Sequence, residues 1–120
     1  MTDATPPVIH TAETMGIVAQ KMSEKRLQEY VIAMARACGW LCYHTHDSRR
    51  SAPGYPDLTM IRASDGRLIH AELKREGGTF RPDQVIWLGE LREVARERGT
   101  EVYTWRPSDW LDGTIEEALR

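Results

Sequence analysis

The sequence is short of the features that mark several large classes of protein. It has no excess of positive charge: the formal net charge over 120 residues is −2. A chain so balanced is not a basic nucleic-acid binder as a whole, and any positive surface must be local. Arg49, Arg50, Lys74, Arg75 and Arg81 are the residues that could form one. Cysteine is scarce. Cys38 and Cys42 are the only two, and their spacing is not the close C-x-x-C of a zinc or redox pair. Two small buried thiols in a reduced, cytoplasmic chain is the simpler expectation. No apolar run is long enough to span a bilayer, and the first residues lack the basic start and apolar stretch of a secretory signal. Neither an internal repeat nor a low-complexity tract is present.

What remains is enough chain for one domain with a modest core. Residues 1–22 show no clear period and contain Pro6-Pro7, so they read as a weakly structured, flexible extension. Residues 23–120 read as the domain. A helix is expected over 23–38, with Ser23 as N-cap and Glu24 at the positive end of the dipole. Leu27, Val31, Met34 and Cys38 fall at helical spacing as its buried stripe. A strand follows over 40–45, then a polar loop over 46–55. Residues 57–62 and 67–74 read as two strands joined by the turn Ser64-Asp65-Gly66. Pro82 opens a second helix to about Arg98, with Trp87, Leu91 and Val94 as its inner stripe. A last strand covers 101–105. Strand, helix, strand in that order implies a right-handed crossover and a parallel pair. Residues 107–120 should form one or two short turns packing Trp110, Ile115 and Leu119 on the body. The order α-β-β-β-α-β describes an α/β fold, a small mixed sheet flanked by helices.

One corner of that sheet carries chemistry. Strand side chains alternate faces, so His70, Glu72 and Lys74 point one way while Ile69, Ala71 and Leu73 point the other. Antiparallel pairing brings Asp57, at the start of one strand, beside Glu72, at the end of its partner. Two carboxylates with an ammonium beside them suit a hard divalent cation such as Mg²⁺ or Mn²⁺. Each residue also has a plainer reading. Asp57 alone would be a turn aspartate, and Glu72 with Lys74 a solvated cross-strand ion pair. Glu24 could serve the helix dipole alone. His44 and His46 with Asp47 suggest zinc, but no third strong ligand follows. Tyr55 could stack a base or pack the bend.

The ordered set Glu24, Gly54-Tyr55-Pro56-Asp57, Glu72-Leu73-Lys74 and Gln84 resembles the P-D…(D/E)-x-K signature of restriction-endonuclease-like nucleases. Within them it is most similar to the VRR-NUC branch, the virus-type replication-repair nucleases. The resemblance spans roughly residues 23 to 105. It implies a restriction-endonuclease-like core and a divalent-metal-dependent phosphodiesterase, with Mg²⁺ or Mn²⁺ as cofactor. Asp57, Glu72 and the backbone carbonyl of Leu73 would be metal ligands, and Glu24 would reach the metal directly or through water. Lys74 would position or activate the attacking water, and Gln84 would orient Lys74 or a phosphate. Many members carry a serine or threonine before the proline of the second helix, where this chain has Arg81. The expected partner is DNA, branched or otherwise structured, contacted by Arg49, Arg50, Tyr55, Arg75 and Arg81. A homodimer is expected because cutting two strands needs two centres. The setting implied is the cytoplasm of a microbe or of a virus's host. The rival reading is a non-catalytic nucleic-acid-binding module that keeps the fold.

Overall fold

The computed structural model describes residues 11–45 and 52–120. A four-stranded mixed sheet lies at its centre: β1 Leu41–His44, β2 Leu58–Arg62, β3 Arg67–Leu73 and β4 Glu101–Trp105. The strands lie in the order β1-β2-β3-β4. The first three pair antiparallel, and β3 pairs parallel with β4. Between β2 and β3 the chain makes a short 3-10 turn, Ala63–Asp65, closed by Gly66 at φ +66°. That left-handed conformation suits glycine. The crossover from β3 to β4 is α3, Pro82–Arg98, so the expected parallel pair is present.

The first domain helix is α2, Glu24–Ala37. Ser23 caps it, its Oγ accepting from the Arg26 N–H at 3.1 Å. Leu27, Val31 and Ala35 are fully buried along one face. They meet Leu58, Met60, Ile69, Ala71 and Leu73 from the sheet. Leu27 and Val31 follow the expected stripe, whereas Met34 and Cys38 sit at its margin. The carboxyl-terminal helices α4, Pro107–Leu111, and α5, Thr114–Leu119, close the same side. Ile115 and Leu119 enter the core, and Trp110 stacks on Tyr30 at 5.4 Å. Trp40 anchors this end, donating its indole N–H to the Leu119 carbonyl at 2.9 Å.

Two expectations need correction. Residues 12–21 are not a weakly structured arm but a helix, α1, Ala12–Lys21. Thr11 caps it through Oγ1, which accepts from Thr14 N–H at 3.1 Å. The helix packs on α4, with Ala19 buried and Met15 half-buried while Ile17 and Val18 stay exposed. A single buried alanine leaves little hydrophobic period to read. The second correction concerns α3. Trp87 and Leu91 of the expected stripe are half-buried, but the buried residues are Gln84 and Leu88, and Val94 is 52 % exposed. The helix is rotated so that Gln84, a polar residue, points inward. Among the described residues no helix is long and apolar enough to cross a membrane.

Candidate active site

The register β2–β3 pairs Leu58 with Ala71 on the core face. The next pair outward, Asp57 and Glu72, therefore falls on the opposite face, as strand alternation requires. Asp57 is fixed by β3 itself: its Oδ2 accepts the Leu73 N–H at 2.8 Å. Lys74 continues the ladder through its own N–H, which donates to the Trp105 carbonyl at 3.0 Å. The acid corner is thus held by backbone hydrogen bonds on both sides.

Gln84 ties the corner to α3. Its Oε1 accepts from Lys74 Nζ at 2.8 Å and from the Arg81 N–H at 2.9 Å. Its Nε2 donates to Glu72 Oε1 at 3.2 Å. One buried amide therefore holds Lys74, Glu72 and the start of the helix. Arg81 cannot return the capping bond, because a guanidinium has no acceptor. Asp83 compensates by accepting the Gln84 N–H at 2.9 Å through Oδ1. The aromatic face of Phe80 covers Lys74, whose Nζ is 5.2 Å from the ring centroid.

The loop carrying Gly54-Tyr55-Pro56 presses directly on this helix start. Gly54 has φ +87°, and a Cβ there would lie 2.4 Å from the Asp83 carbonyl carbon. Only glycine fits, on both steric counts. Tyr55 turns its ring edge-on to Trp87 at 5.1 Å and to His70 at 6.1 Å. Its hydroxyl is 2.9 Å from Thr59 Oγ1, so its ring packs the bend while lining the cleft.

The result is an open cleft of about 610 Å³. Glu24, Tyr55, Asp57, Glu72, Lys74, Arg81 and Gln84, all singled out by sequence, line it together. Glu24 stands back at the head of α2, its Oε1 accepting the Arg75 N–H at 3.3 Å. Arg75 is exposed and lies outside the cleft lining. Arg49, Arg50, His46 and Asp47 lie outside the described residues. The Leu73 side chain is buried in the core.

The electrostatics of the corner are unbalanced. Glu72 is 2 % exposed, and its Oε2 is buried with no hydrogen-bond partner among the described residues. Burial pushes its carboxyl up to about 9, the neighbouring Asp57 adds to the rise, and Lys74 opposes it. Two ionised carboxylates cannot hydrogen-bond each other, so the pair calls for a shared proton or a cation. Among the described residues no three His, Cys, Asp or Glu side chains close on one point. Two carboxylates with an orphaned oxygen nonetheless fit Mg²⁺, which keeps several waters and needs few protein ligands. His70, behind Glu72, has its pKa lowered by burial, and its Nδ1 is also without a partner.

Several residues of this assembly do not stand out in the sequence. Asp83 and Thr45 line the cleft. Arg106 donates to the carbonyls of Arg75 at 2.8 Å and Gly78 at 2.9 Å, and its guanidinium lies 5.9 Å from the Phe80 centroid. It pins the loop that follows Lys74. A proline after Arg81 signals that Asp83 falls in the first helical turn, but nothing in the sequence points to Arg106.

Compared with solved structures, the chain matches a VRR_NUC domain at 30 % sequence identity and a TM-score of 0.56. The match covers 78 % of this chain and 94 % of that one. The chain belongs to the VRR_NUC family. No family model matches the sequence, and no curated protein matches it. The VRR_NUC assignment agrees with the four-stranded mixed sheet and its flanking helices, and makes this a nuclease-fold domain. The acid corner of the VRR_NUC domain lies at the β2–β3 end, bordered by α2 and α3.

Proposed function

We propose that the chain is a divalent-metal-dependent endonuclease that hydrolyses DNA phosphodiester bonds, with branched replication and recombination intermediates as its preferred substrates. The observation that carries this reading is the corner itself: Asp57 beside a buried Glu72 whose Oε2 lacks a partner among the described residues, with Lys74 held on the same amide as Glu72. A binding module has no use for buried acids that repel phosphate.

In this reading Asp57, Glu72 and the Leu73 carbonyl hold Mg²⁺ or Mn²⁺, and Glu24 contributes through water from the head of α2. A bound cation lowers the pKa of water and offsets charge on the phosphoryl oxygens. Lys74 has three N–H donors as an ammonium, and Gln84 occupies one. The others are free to orient the attacking water or to meet negative charge as it grows on the phosphate. Gln84 keeps Lys74 from swinging onto Glu72 and so preserves its reach into the cleft. Hydrolysis joins the water oxygen to phosphorus and breaks one ester bond. One proton ends on the departing sugar oxygen and the other passes to the new phosphate and solvent. Arg81 at the cleft wall, with Arg75 near it, would meet flanking phosphates. Arg49 and Arg50 are proposed to do the same.

Cutting two strands asks for two centres, and a homodimer would supply them. Leu41, Tyr43 and Ile61 are exposed on one sheet face with no charge among them. A neutral face can meet a copy of itself without repulsion. Light scattering of the purified chain tests this, and a monomer at working concentration would refute it. The function is tested by a cleavage panel in Mg²⁺ and Mn²⁺, covering single strands, duplex, flaps, forks and four-way junctions. Metal-dependent cutting that EDTA abolishes is expected. No cutting of any substrate with either metal would leave the binding module as the better reading.

A further inference from the structure

We infer that the groove between α2 and β1 is a second binding site, one that takes the sugar–phosphate backbone of DNA running out of the cleft. This rests on the nuclease reading for its substrate but on separate residues for its chemistry. The groove has a volume of about 400 Å³, and Lys25, Gln28, Glu29, Ile32, Arg36 and His44 line it. It adjoins the active-site cleft along the chain. Glu24 and Thr45 line the cleft, and their chain neighbours Lys25 and His44 line the groove. A strand leaving the cleft past the head of α2 would meet it next.

The groove's charge fits a polyanion. Lys25 and Arg36 are exposed, and neither forms an ion pair among the described residues. The one carboxylate among the described residues that line it, Glu29, is countered by Arg26 at 3.4 Å. Gln28 Nε2 lies 3.5 Å from His44 Nδ1, so α2 and β1 are bridged by polar groups across the groove floor. Lys25 and Arg36 lie eleven residues apart on one helix face, about 16 Å at 1.5 Å per residue. That length covers roughly five base steps at 3.4 Å each. The stripe is thus long enough to meet a backbone at two points, one near the cleft and one beyond it. No base edge is reached from a helix flank of this kind, so the contact would position DNA without reading sequence.

The test compares the full chain with Lys25→Ala/Arg36→Ala, both positions being solvent-exposed, on a labelled duplex and a four-way junction in Mg²⁺ from 50 to 300 mM NaCl. Each phosphate contact contributes about 0.9 to the slope of log affinity against log salt. The variant should therefore lose about 1.8 from that slope. At 0.1 M salt one such contact is worth roughly eightfold, so KM should rise tenfold or more. The value of kcat at saturating DNA should stay within twofold, because neither residue touches the acid corner. Arg96→Ala/Arg98→Ala, which removes two charges from the far end of α3, should leave both quantities unchanged. An unchanged KM and slope in a wild type that cuts DNA would overturn the groove while leaving the nuclease reading intact. An equal loss in the α3 control would also overturn it, since net charge alone would then suffice. If the wild type binds but never cuts, fluorescence anisotropy supplies the same slopes, and a loss of about 1.8 or none decides the groove as before. If it neither binds nor cuts, the groove falls with the nuclease reading.

Discussion

Replacing Glu72 by Gln should make the metal-free protein more stable while destroying its ability to hold a cation. Glu72 is 2 % exposed, and its carboxyl is pushed up to about 9 from an ordinary 4.5. Below pH 4.5 folded and unfolded chains both carry the proton, and the group costs nothing. Above it the unfolded chain releases the proton while the folded chain retains it to about pH 9, so stability falls as pH rises across that window. At about 1.36 kcal/mol per pH unit, the span from 4.5 to pH 8 would cost about 5 kcal/mol in a dry site. The carboxyl lines an open cleft, and screening by solvent reduces this to about 2 kcal/mol. Glutamine keeps the acceptor for Gln84 Nε2 and can donate to Asp57, so it removes the charge without emptying the space. For a domain of this size about 2 kcal/mol is roughly 10 °C in Tm. Thermal unfolding in EDTA at pH 8 should show the Glu72→Gln variant melting higher by about that amount, with the gap nearly closed at pH 5. Adding 10 mM Mg²⁺ should raise only the wild type, by about 1.4 kcal/mol for a Kd on the order of 1 mM. A variant that melts lower than the wild type in EDTA, or a gap independent of pH, would refute the account of a carboxylate held against its solvation.

Other substitutions separate the parts of the site. Lys74→Ala should lower kcat by at least about 100-fold, as loss of a positioned charge does, with KM for DNA nearly unchanged; single-turnover cleavage checks it. Gly54→Ala forces a left-handed alanine and a Cβ 2.4 Å from the Asp83 carbonyl carbon. It should cost about 2 kcal/mol or more, and the displaced Gln84 should lower kcat in whatever fraction folds; chemical denaturation and cleavage read the two effects. Arg106→Ala leaves the Gly78 carbonyl without its donor and removes one of two from the Arg75 carbonyl, which keeps the Gly78 N–H at 3.0 Å. About 1–3 kcal/mol of local stability should go, seen as faster amide exchange over residues 75–80 and a fall in kcat larger than the change in KM.

The legible parts of this protein are those where a local period and a chemical demand coincide. Asp57, Glu72 and Lys74 can be placed because strand parity fixes their common side and the β2–β3 register fixes their adjacency. Ser23 can be placed because a cap needs only its own helix. The inner face of α3 escapes a reading by period for a physical reason: Gln84 is buried on Lys74 and Glu72, and it sets the helix rotation through hydrogen bonds. Hydrophobic periodicity does not count such bonds. Helix α1 escapes it because Ala19 is the one residue it buries, and it packs on α4, a five-residue helix that itself leaves a weak trace. Arg106 acts through backbone carbonyls about thirty residues earlier, and carbonyls are common to every sequence.

The most direct measurement is diffraction from a crystal grown with Mn²⁺, recorded at the manganese absorption edge. The account predicts one anomalous peak in the cleft, about 2.1 Å from oxygens of both Asp57 and Glu72, with Glu72 Oε2 no longer unpartnered. A map at full occupancy elsewhere and empty between those two carboxylates would contradict it.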